Sequence, residues 1–363
     1  MERNIKFNTT EFTLERYPKT KDKSLRAWSN AELLVLEHVK DYKNREFHLY
    51  NDRFGVWNST LHNRKQTTIW TYASQQKAIK QNLSINKLST EVSYKTPLDT
   101  LNKVDVALMK IPKSLELFEL FLYQIQQAAN EKTEVICGFM TKYFSTTYLK
   151  IAAHYFEVIE QTKAWKKARL LILKSPKSFE KKELINKILW KEEVLKQYYG
   201  VFSSERIDIG TQFLLSNLEV RKNEKKILDV AAGNGVIAYT ALQRNKMVNV
   251  TLVDDFNLAI ESSKLNLPKE KSQFICTDIM DGIENDSYDL IVSNPPFHFE
   301  YENNIEVSLN LFNKIANSLK ENGRFVMVAN KHLNYKTHLD LLFTAVTVLA
   351  TNSKFIIYEC IKQ

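Results

Sequence analysis

Four consecutive residues, Asn294 to Phe297, follow a predicted strand at 288–293 and carry the most specific chemical pattern in the chain. The nitrogen of an exocyclic amine or an amide is planar and conjugated, so its lone pair is a poor nucleophile. The side-chain oxygen of Asn294 and the carbonyl of Pro295 can each accept an N–H bond from such a nitrogen and orient it for transfer. Because proline fixes φ and donates no bond, Pro296 keeps the loop rigid, and Phe297 can stack on a planar substrate. We therefore predict that Asn294, Pro295, Pro296 and Phe297 are catalytic; a Pro-Pro strand exit without a role is the alternative.

Upstream, the residues from Asp229 to Gly235 connect a predicted strand at 226–230 to a predicted helix at about 236–244. Glycines such as Gly233 and Gly235 let the backbone turn sharply and approach a ligand closely. Asp254 ends the next predicted strand and can accept bonds from both hydroxyls of a ribose. Asp278 follows the third strand and can accept a bond from an adenine amino group. Because the carboxyl ends of parallel strands meet at one edge of a sheet, these acids predict one nucleoside pocket.

These residues can share a site only if their strands belong to one sheet. In the C-terminal half, from 226 to 359, strand patterns alternate with helix patterns. The pattern predicts an α/β fold with a mostly parallel sheet, and the last two strands, joined by a short turn, indicate an antiparallel hairpin. A weaker version of this alternation in the N-terminal half, including a helix predicted at 147–160, indicates a diverged duplicate. We expect two tandem Rossmann-like domains, 1–172 and 201–363, joined by a basic linker at 173–200.

Positive charge is concentrated in one part of the chain. The net charge is +9, and residues 163–196 contain eleven basic and four acidic residues. A basic excess favours a polyanion partner such as nucleic acid or an anionic membrane surface. A lysine-rich composition alone would explain the bulk excess but would not concentrate it in one segment. The sequence has only eight glycines, which excludes collagen-like and glycine-rich low-complexity chains.

The spacing of the cysteines indicates whether the chain binds a metal, and the N-terminal residues indicate where in the cell it is found. Cys137, Cys276 and Cys360 are far apart and match no zinc-ligand spacing, so we expect no metal and three reduced thiols. Neither a signal peptide nor an apolar stretch of membrane-spanning length is evident. We expect a cytoplasmic monomer without a membrane partner.

The ordered set of turn, acids and Asn-Pro-Pro-Phe resembles class I S-adenosylmethionine-dependent methyltransferases, and its spacing differs from the dinucleotide-binding G-x-G-x-x-G. The resemblance implies a seven-stranded, mostly parallel sheet with an antiparallel C-terminal hairpin, and S-adenosyl-L-methionine as the cofactor. The family commonly has glycine where Ala231 stands, and alanine is accommodated if its φ stays negative. The resemblance implies a cofactor site made of Asp208, Gly210, Asp229, Ala231, Gly233, Gly235, Asp254, Asp278 and Asn294. Asp208 could equally cap a helix that begins before Thr211.

The whole sequence is similar to a narrower group, the two-domain ribosomal RNA guanine-N2 methyltransferases of the small-domain family. The similarity is carried by the segments 51–55, 110–113, 164–169, 201–203, 207–210, 229–236, 293–298, 328–333 and 351–355. The segments 51–55, 165–169 and 329–333 favour the branch that acts on large-subunit (23S) RNA, whereas Thr211-Gln212 looks more like the small-subunit (16S) branch. The resemblance implies formation of N2-methylguanosine in ribosomal RNA. Adenine-N6 or protein glutamine-N5 methylation, and a non-catalytic RNA-binding factor, remain alternatives.

In the family, the N-terminal domain is a degenerate copy of the catalytic one. The N-terminal counterpart of the cofactor turn has only Gly55, so we expect no cofactor there. The counterpart of Asn-Pro-Pro-Phe reads Lys110-Ile-Pro-Lys113, and its cations suit phosphate contact. An aromatic residue among basic ones, at 165–169, is typical of RNA binding, although a solvated face is the alternative. The predicted RNA contacts are Arg53, Lys110, Lys113, Trp165, Lys166, Lys167 and Arg169.

Overall fold

The computed structural model describes residues 2–20, 22, 24–295 and 305–362. The chain forms two compact units, Met1–Leu184 and Ile185–Gln363. No helix in the described part of the chain is long and apolar enough to cross a membrane.

The N-terminal unit contains a hairpin and a seven-stranded sheet. Its strands are β1 (Asn4–Phe7), β2 (Thr10–Thr13), β3 (Phe47–Tyr50), β4 (Gln66–Ile69), β5 (Ser93–Lys95), β6 (Val104–Lys110), β7 (Ala129–Met140), β8 (Phe156–Gln161) and β9 (Ala168–Pro176). Its α-helices are α1 (Asn30–Val39), α2 (Val56–Thr60), α3 (Ala73–Ile85), α4 (Leu115–Gln127) and α5 (Thr146–Tyr155). The sheet order is β5-β4-β3-β6-β7-β9-β8, and β9 is antiparallel to both of its neighbours.

The C-terminal unit repeats this plan. It begins with a hairpin of β10 (Ile185–Trp190) and β11 (Glu193–Tyr198). Then follow α6 (Ile209–Asn217), β12 (Lys226–Val230), α7 (Val236–Arg244), β13 (Asn249–Asp254), α8 (Asn257–Asn266), β14 (Ser272–Cys276), β15 (Tyr288–Ser293), α9 (Ile305–Ser318), β16 (Leu319–Asn330), α10 (Lys336–Leu339), β17 (Ala345–Thr351) and β18 (Phe355–Ile361). The order β14-β13-β12-β15-β16-β18-β17 is the same as in the first sheet. The predicted α/β fold with two seven-stranded, mostly parallel sheets and antiparallel C-terminal hairpins is thereby confirmed.

The sheet of the C-terminal unit is buried on both faces, which makes it a rigid support for residues at its edge. Along β15, Leu290 and Val292 belong to one apolar layer, while Ile291 belongs to the other layer with Phe312 and Ile315 of α9. Full burial of each such side chain contributes about 1.5–3 kcal/mol to folding. Alternating side chains therefore fix the register of the strands and, with it, the positions of the loops that follow them.

The segment 173–200, which the sequence predicts to be a linker, is largely structured. It contains the end of β9 and the whole β10–β11 hairpin. The hairpin contributes Ile188 and Leu195 to the apolar layer of the C-terminal unit. Period-2 alternation is weak here because charged residues occupy both faces, which hides the strands in the sequence.

Candidate active site

The turn between β12 and α7 has a left-handed backbone at three positions. Ala231, Gly233 and Gly235 have φ of 59°, 56° and 81°. A Cβ at Gly235 would lie 2.6 Å from a methyl carbon of Leu267, so this glycine lets α7 pack closely. A Cβ at Gly233 would meet nothing within 4 Å, so open space lies in front of that residue. The two glycines thus have different tasks, helix packing and room for a ligand.

Ala231 corrects one expectation from the sequence. Its φ is positive, not negative, so the turn keeps the conformation that glycine would adopt. An L-residue in this conformation is strained by about 1–2 kcal/mol, since Cβ approaches the following carbonyl oxygen. The substitution therefore reduces stability while leaving the shape of the turn unchanged.

Asp229 lies beneath the turn and not on its surface. Its side chain is 0% exposed, and Oδ2 accepts a bond from the Ala238 backbone N–H at 3.0 Å, near the start of α7. Burial raises the pKa of this carboxyl well above its ordinary value. Asp229 was predicted to contact a cofactor; in this geometry it instead fixes α7 against β12. Its Oδ1 has no hydrogen-bond partner among the described residues.

Asp254 lies where the sequence predicts it, beside the open space at Gly233. Its Oδ2 accepts a bond from the Gly233 N–H at 3.0 Å, and Oδ1 accepts one from the Phe256 N–H at 2.9 Å. These bonds fix the direction of the carboxylate, and each oxygen keeps a lone pair for a further donor. Burial raises the pKa of Asp254 to about 6, although the two backbone bonds oppose the shift.

Asp278 follows the neighbouring strand at the same edge of the sheet. Cys276, the last residue of β14, is paired with Asp254, and the Thr277 N–H donates to the Asp254 carbonyl at 2.9 Å. Asp278 comes next and is half-buried. The structure thus brings Asp254, Asp278 and the turn to one edge, and this donor and acceptor set fits a nucleoside.

Asn294 closes the same edge from β15. The hydroxyl of Ser293 donates to the Val230 carbonyl at 2.8 Å, which ties the ends of β15 and β12 together. The amide nitrogen of Asn294 donates to Thr211 Oγ1 at 2.8 Å and to Asp208 Oδ2 at 3.2 Å. With both amide hydrogens engaged, Oδ1 is the acceptor left for a substrate N–H. Pro295 is buried, and the predictions for Pro296 and Phe297 lie outside the described residues.

The N-terminus of α6, with its N-cap Asp208, therefore positions Asn294. Asp208 Oδ2 also accepts a bond from the Thr211 N–H at 3.1 Å, so Asp208 is the N-cap of α6 as well as a partner of Asn294. A Cβ at Gly210 would lie 3.0 Å from Asp208 Oδ2 and 3.1 Å from the ring of Phe355. Gly210 is thus needed for packing around Asp208. Thr211 was missed as a site residue, although a hydroxyl three positions after a capping Asp is the signal that could have indicated it.

The N-terminal unit has a similar turn, left-handed at the first and last of the three positions, and its own side chains fill it. Asn51 and Gly55 have φ of 56° and 73°, which match the first and last residues of the turn at 231–235. Arg53 therefore corresponds to Gly233. Its side chain is 4% exposed, Nη2 donates to Ser74 Oγ at 2.8 Å, and the guanidinium lies 4.5 Å from the ring centroid of Tyr72. Burial makes Arg53 unsuited to phosphate contact, which corrects its assignment as an RNA ligand.

Strand register extends this correspondence to two further positions. Tyr50 pairs with Ile69 and Met109, as Val230 pairs with Val253 and Ser293. The next residues, Trp70 and Lys110, therefore correspond to Asp254 and Asn294. Lys110 forms an ion pair with the buried Glu32 at 2.9 Å.

The remaining predicted RNA contacts lie mostly at the surface. Lys113, Trp165, Lys166 and Lys167 are exposed, whereas Arg169 is half-buried and donates to Gln161 Oε1 at 3.4 Å. In the described ranges, no group of three or more His, Cys, Asp or Glu side chains could hold a metal ion.

Two family models match the chain, the RLMG N-terminal domain over residues 2–178 and the methyltransferase small domain over residues 192–359. The chain is 30% identical over 373 aligned residues to the ribosomal RNA large subunit methyltransferase G of Pseudoalteromonas translucida (strain TAC 125), covering 97% of this chain and 96% of that protein. Among solved structures it is similar to the T. thermophilus 16S rRNA N2 G1207 methyltransferase (RsmC) in complex with AdoMet and guanosine. That match has a TM-score of 0.79 at 18% identity and covers 99% of this chain and 97% of that chain.

Proposed function

This chain belongs to the family of ribosomal RNA large subunit methyltransferase G, and from that membership we propose that it methylates the N2 amine of a guanine in ribosomal RNA. The methyl donor is S-adenosyl-L-methionine, and the target is the large-subunit (23S) RNA, as the name of the relative that matches almost end to end suggests. One observation carries the proposal for the reacting atom. Asn294 engages its amide nitrogen within the protein, and this supports a role for its oxygen as the acceptor of a substrate N–H.

The residues at the carboxyl edge of the second sheet fit this cofactor. Open space lies in front of Gly233, and the oriented carboxylate of Asp254 beside it suits the two ribose hydroxyls. Asp278, on the neighbouring strand, suits the adenine amino group. When bound, S-adenosyl-L-methionine supplies a methyl group on a sulfonium, which is already a good leaving group.

Asn294 and the Pro295 carbonyl would each accept one N–H of the guanine amine. These bonds orient the nitrogen and favour its rehybridisation as the new N–C bond forms. The proton can leave late, so the site needs no strong general base. To reach this edge the base must leave its stack, and Phe297 would stack on it.

Asp208 and Thr211 act as positioning residues for Asn294. Asp208 is fixed by its bond to the Thr211 N–H, and both side chains accept from the Asn294 amide. This arrangement selects the orientation in which the Asn294 oxygen is presented to the substrate.

We further propose a division of labour between the two halves. Residues 201–363 would carry the reaction and residues 1–172 would bind RNA, with the exposed side chains of Lys113, Trp165, Lys166 and Lys167 as contacts. The protein would act as a monomer in the cytoplasm.

Methyl transfer in vitro tests the proposed function. The purified chain is incubated with tritiated S-adenosyl-L-methionine and ribosomal RNA from a strain that lacks the gene, and the labelled nucleosides are identified. We expect N2-methylguanosine in 23S RNA. Label in 16S RNA would correct the choice of subunit, and N6-methyladenosine or labelled protein would contradict the guanine assignment. Naked RNA and assembled subunits are compared in parallel.

Asn294→Ala tests the residue on which the proposal depends. The variant should lose methyl transfer by about 100-fold or more, because it removes a bond that orients the reacting nitrogen. Cofactor affinity measured by calorimetry should remain nearly unchanged. Asn217→Ala, on the exposed side of α6, is the matched control and should behave as the unmodified protein. Loss of cofactor binding together with transfer would contradict the assigned role.

A further inference from the structure

Two exposed aromatic rings lie at the carboxyl edge of the N-terminal sheet. Tyr143 belongs to a short 3₁₀ helix after β7 and is 48% exposed, and Trp165 belongs to the turn before β9 and is 39% exposed. A lysine accompanies each ring: Lys142 Nζ is 5.3 Å from the ring centroid of Tyr143, and Lys166 Nζ is 4.8 Å from that of Trp165. Open α/β sheets bind ligands at this edge.

Hydrogen bonds tie the segments of the two rings together. The Thr141 backbone N–H and hydroxyl both donate to the Lys167 carbonyl, at 2.9 and 3.2 Å. The Asn30 side chain donates to the Lys166 carbonyl at 2.9 Å. The rings are therefore displayed from a single, fixed backbone arrangement.

The turn that carries Trp165 is strained. Trp165 and Ala168 exchange two backbone bonds at 2.8 Å, and the two residues between them, Lys166 and Lys167, have φ of 46° and 64°. Two-residue turns of this kind favour Asn-Gly, since both positions need a left-handed backbone. Lysine at both is an outlier of the kind that accompanies functional surfaces.

The two segments that carry the rings have basic residues and no acidic ones, and Glu157 and Glu160 lie between these segments in β8. Residues 141–155 and 161–178 together contain eight Lys and Arg and no Asp or Glu. Lysines suit a phosphate backbone, and exposed aromatic faces suit bases that are unpaired and free to stack. Paired bases in an RNA helix offer no such faces, so the combination favours single-stranded over duplex RNA.

We propose that Tyr143 and Trp165, with Lys142, Lys166 and Lys167, form a stacking platform for unpaired nucleotides of the RNA substrate. The platform rests on the proposed function, because it presupposes an RNA substrate. It adds Tyr143 and Lys142 to the contacts indicated by the sequence and specifies the RNA structure that they recognise.

Fluorescence anisotropy with a labelled, unstructured RNA of about 12 nucleotides tests the platform in the full-length protein. Tyr143→Ala and Trp165→Ala should each weaken binding by about tenfold, while Tyr143→Phe and Trp165→Phe, which keep a stacking face, should bind nearly as the unmodified protein does. A duplex of the same length should bind more weakly and be insensitive to the alanine variants. Replacing Lys166 and Lys167 with Gln should reduce the salt dependence of binding, since about two phosphate contacts are lost.

Phe179→Ala is the matched control. Phe179 is also 39% exposed and belongs to the same unit, but it follows β9 at the opposite end of the strand. Wild-type affinity for single-stranded RNA in both alanine variants would overturn the platform, as would equal losses for duplex RNA. If the unmodified chain forms N2-methylguanosine while these variants bind normally, only the platform fails. If the unmodified chain methylates no ribosomal RNA, the proposed function itself fails.

Discussion

Ala231 has a left-handed backbone, and the strain of its Cβ in this conformation predicts an effect on stability. Ala231→Gly should raise the free energy of unfolding by about 0.5–1 kcal/mol, because relief of about 1–2 kcal/mol of strain exceeds the added freedom of glycine in the unfolded chain. Urea unfolding measures the change. Ala241→Gly, in the middle of α7, is the control and should lower stability by about 1 kcal/mol or more. A lower free energy of unfolding in Ala231→Gly would contradict the proposed strain at this position.

Asp254 should make cofactor binding depend on pH. Burial raises its pKa to about 6, so the free protein takes up a proton there as the pH falls below that value. Ribose hydroxyls donate more favourably to the ionised carboxylate, which has both oxygens available as acceptors. Affinity should therefore fall progressively between pH 7.5 and about pH 5, as measured by calorimetry. In Asp254→Asn affinity should be lower throughout and this pH dependence absent; an unaltered pH profile would argue against the assignment.

Residue types and spacing predicted which edge of the sheet carries the candidate site but not which side chains face it. Asp254, Asp278 and Asn294 were predicted from their places after three strands, and the structure brings them to one edge. Asp229 and Arg53 come from equally suggestive patterns, yet both are buried. Burial depends on neighbours that are distant in sequence, such as Tyr72 for Arg53, and no local spacing specifies them.

The first turn of α6 shows how one element can orient a residue that follows another, here Asn294 after β15. Thr211→Val keeps the shape of the side chain but removes the acceptor for the Asn294 amide. We expect kcat to fall by about tenfold, in line with the loss of one orienting bond, with little change in KM for RNA or in cofactor affinity. Thr211→Ser should restore most of the activity. A normal kcat in Thr211→Val would leave Thr211 as a packing residue only.

The boundaries of helices and strands were predictable where a buried strand or an apolar helix face gives the apolar residues a clear spacing in the sequence. The helix predicted at 147–160 instead ends at Tyr155, and Phe156 begins β8. The residues that follow pair with β9, a strand that comes later in the chain, and this pairing overrides local helix propensity. Alternation of strands and helices thus predicted the sheet, whereas the exact change from helix to strand depends on tertiary pairing.

On the scale of the whole molecule, the duplicated fold predicts a single cofactor site. The side chain of Arg53 occupies the position of Gly233, and Trp70 replaces the carboxylate of Asp254. Calorimetry should give one S-adenosyl-L-methionine per chain, and Asp254→Ala should weaken that one event. Arg53→Ala should leave the stoichiometry at one, since no acid is available for the ribose. A second binding event in the unmodified chain would contradict this view of the N-terminal half.

The shared turn has a further consequence. In the N-terminal half the backbone keeps its left-handed positions at Asn51 and Gly55, although Arg53 now fills the space. There, Asp52 accepts bonds from the N–H groups of three successive residues at the start of α2. These bonds stabilise the helix and require no ligand. One polypeptide therefore contains its own internal reference, a turn with an architectural role in one half and, in the other, the turn that we propose holds the cofactor. The same substitution made at equivalent positions of both turns would therefore separate an effect on stability, expected in both, from an effect on methyl transfer, expected only in the C-terminal copy.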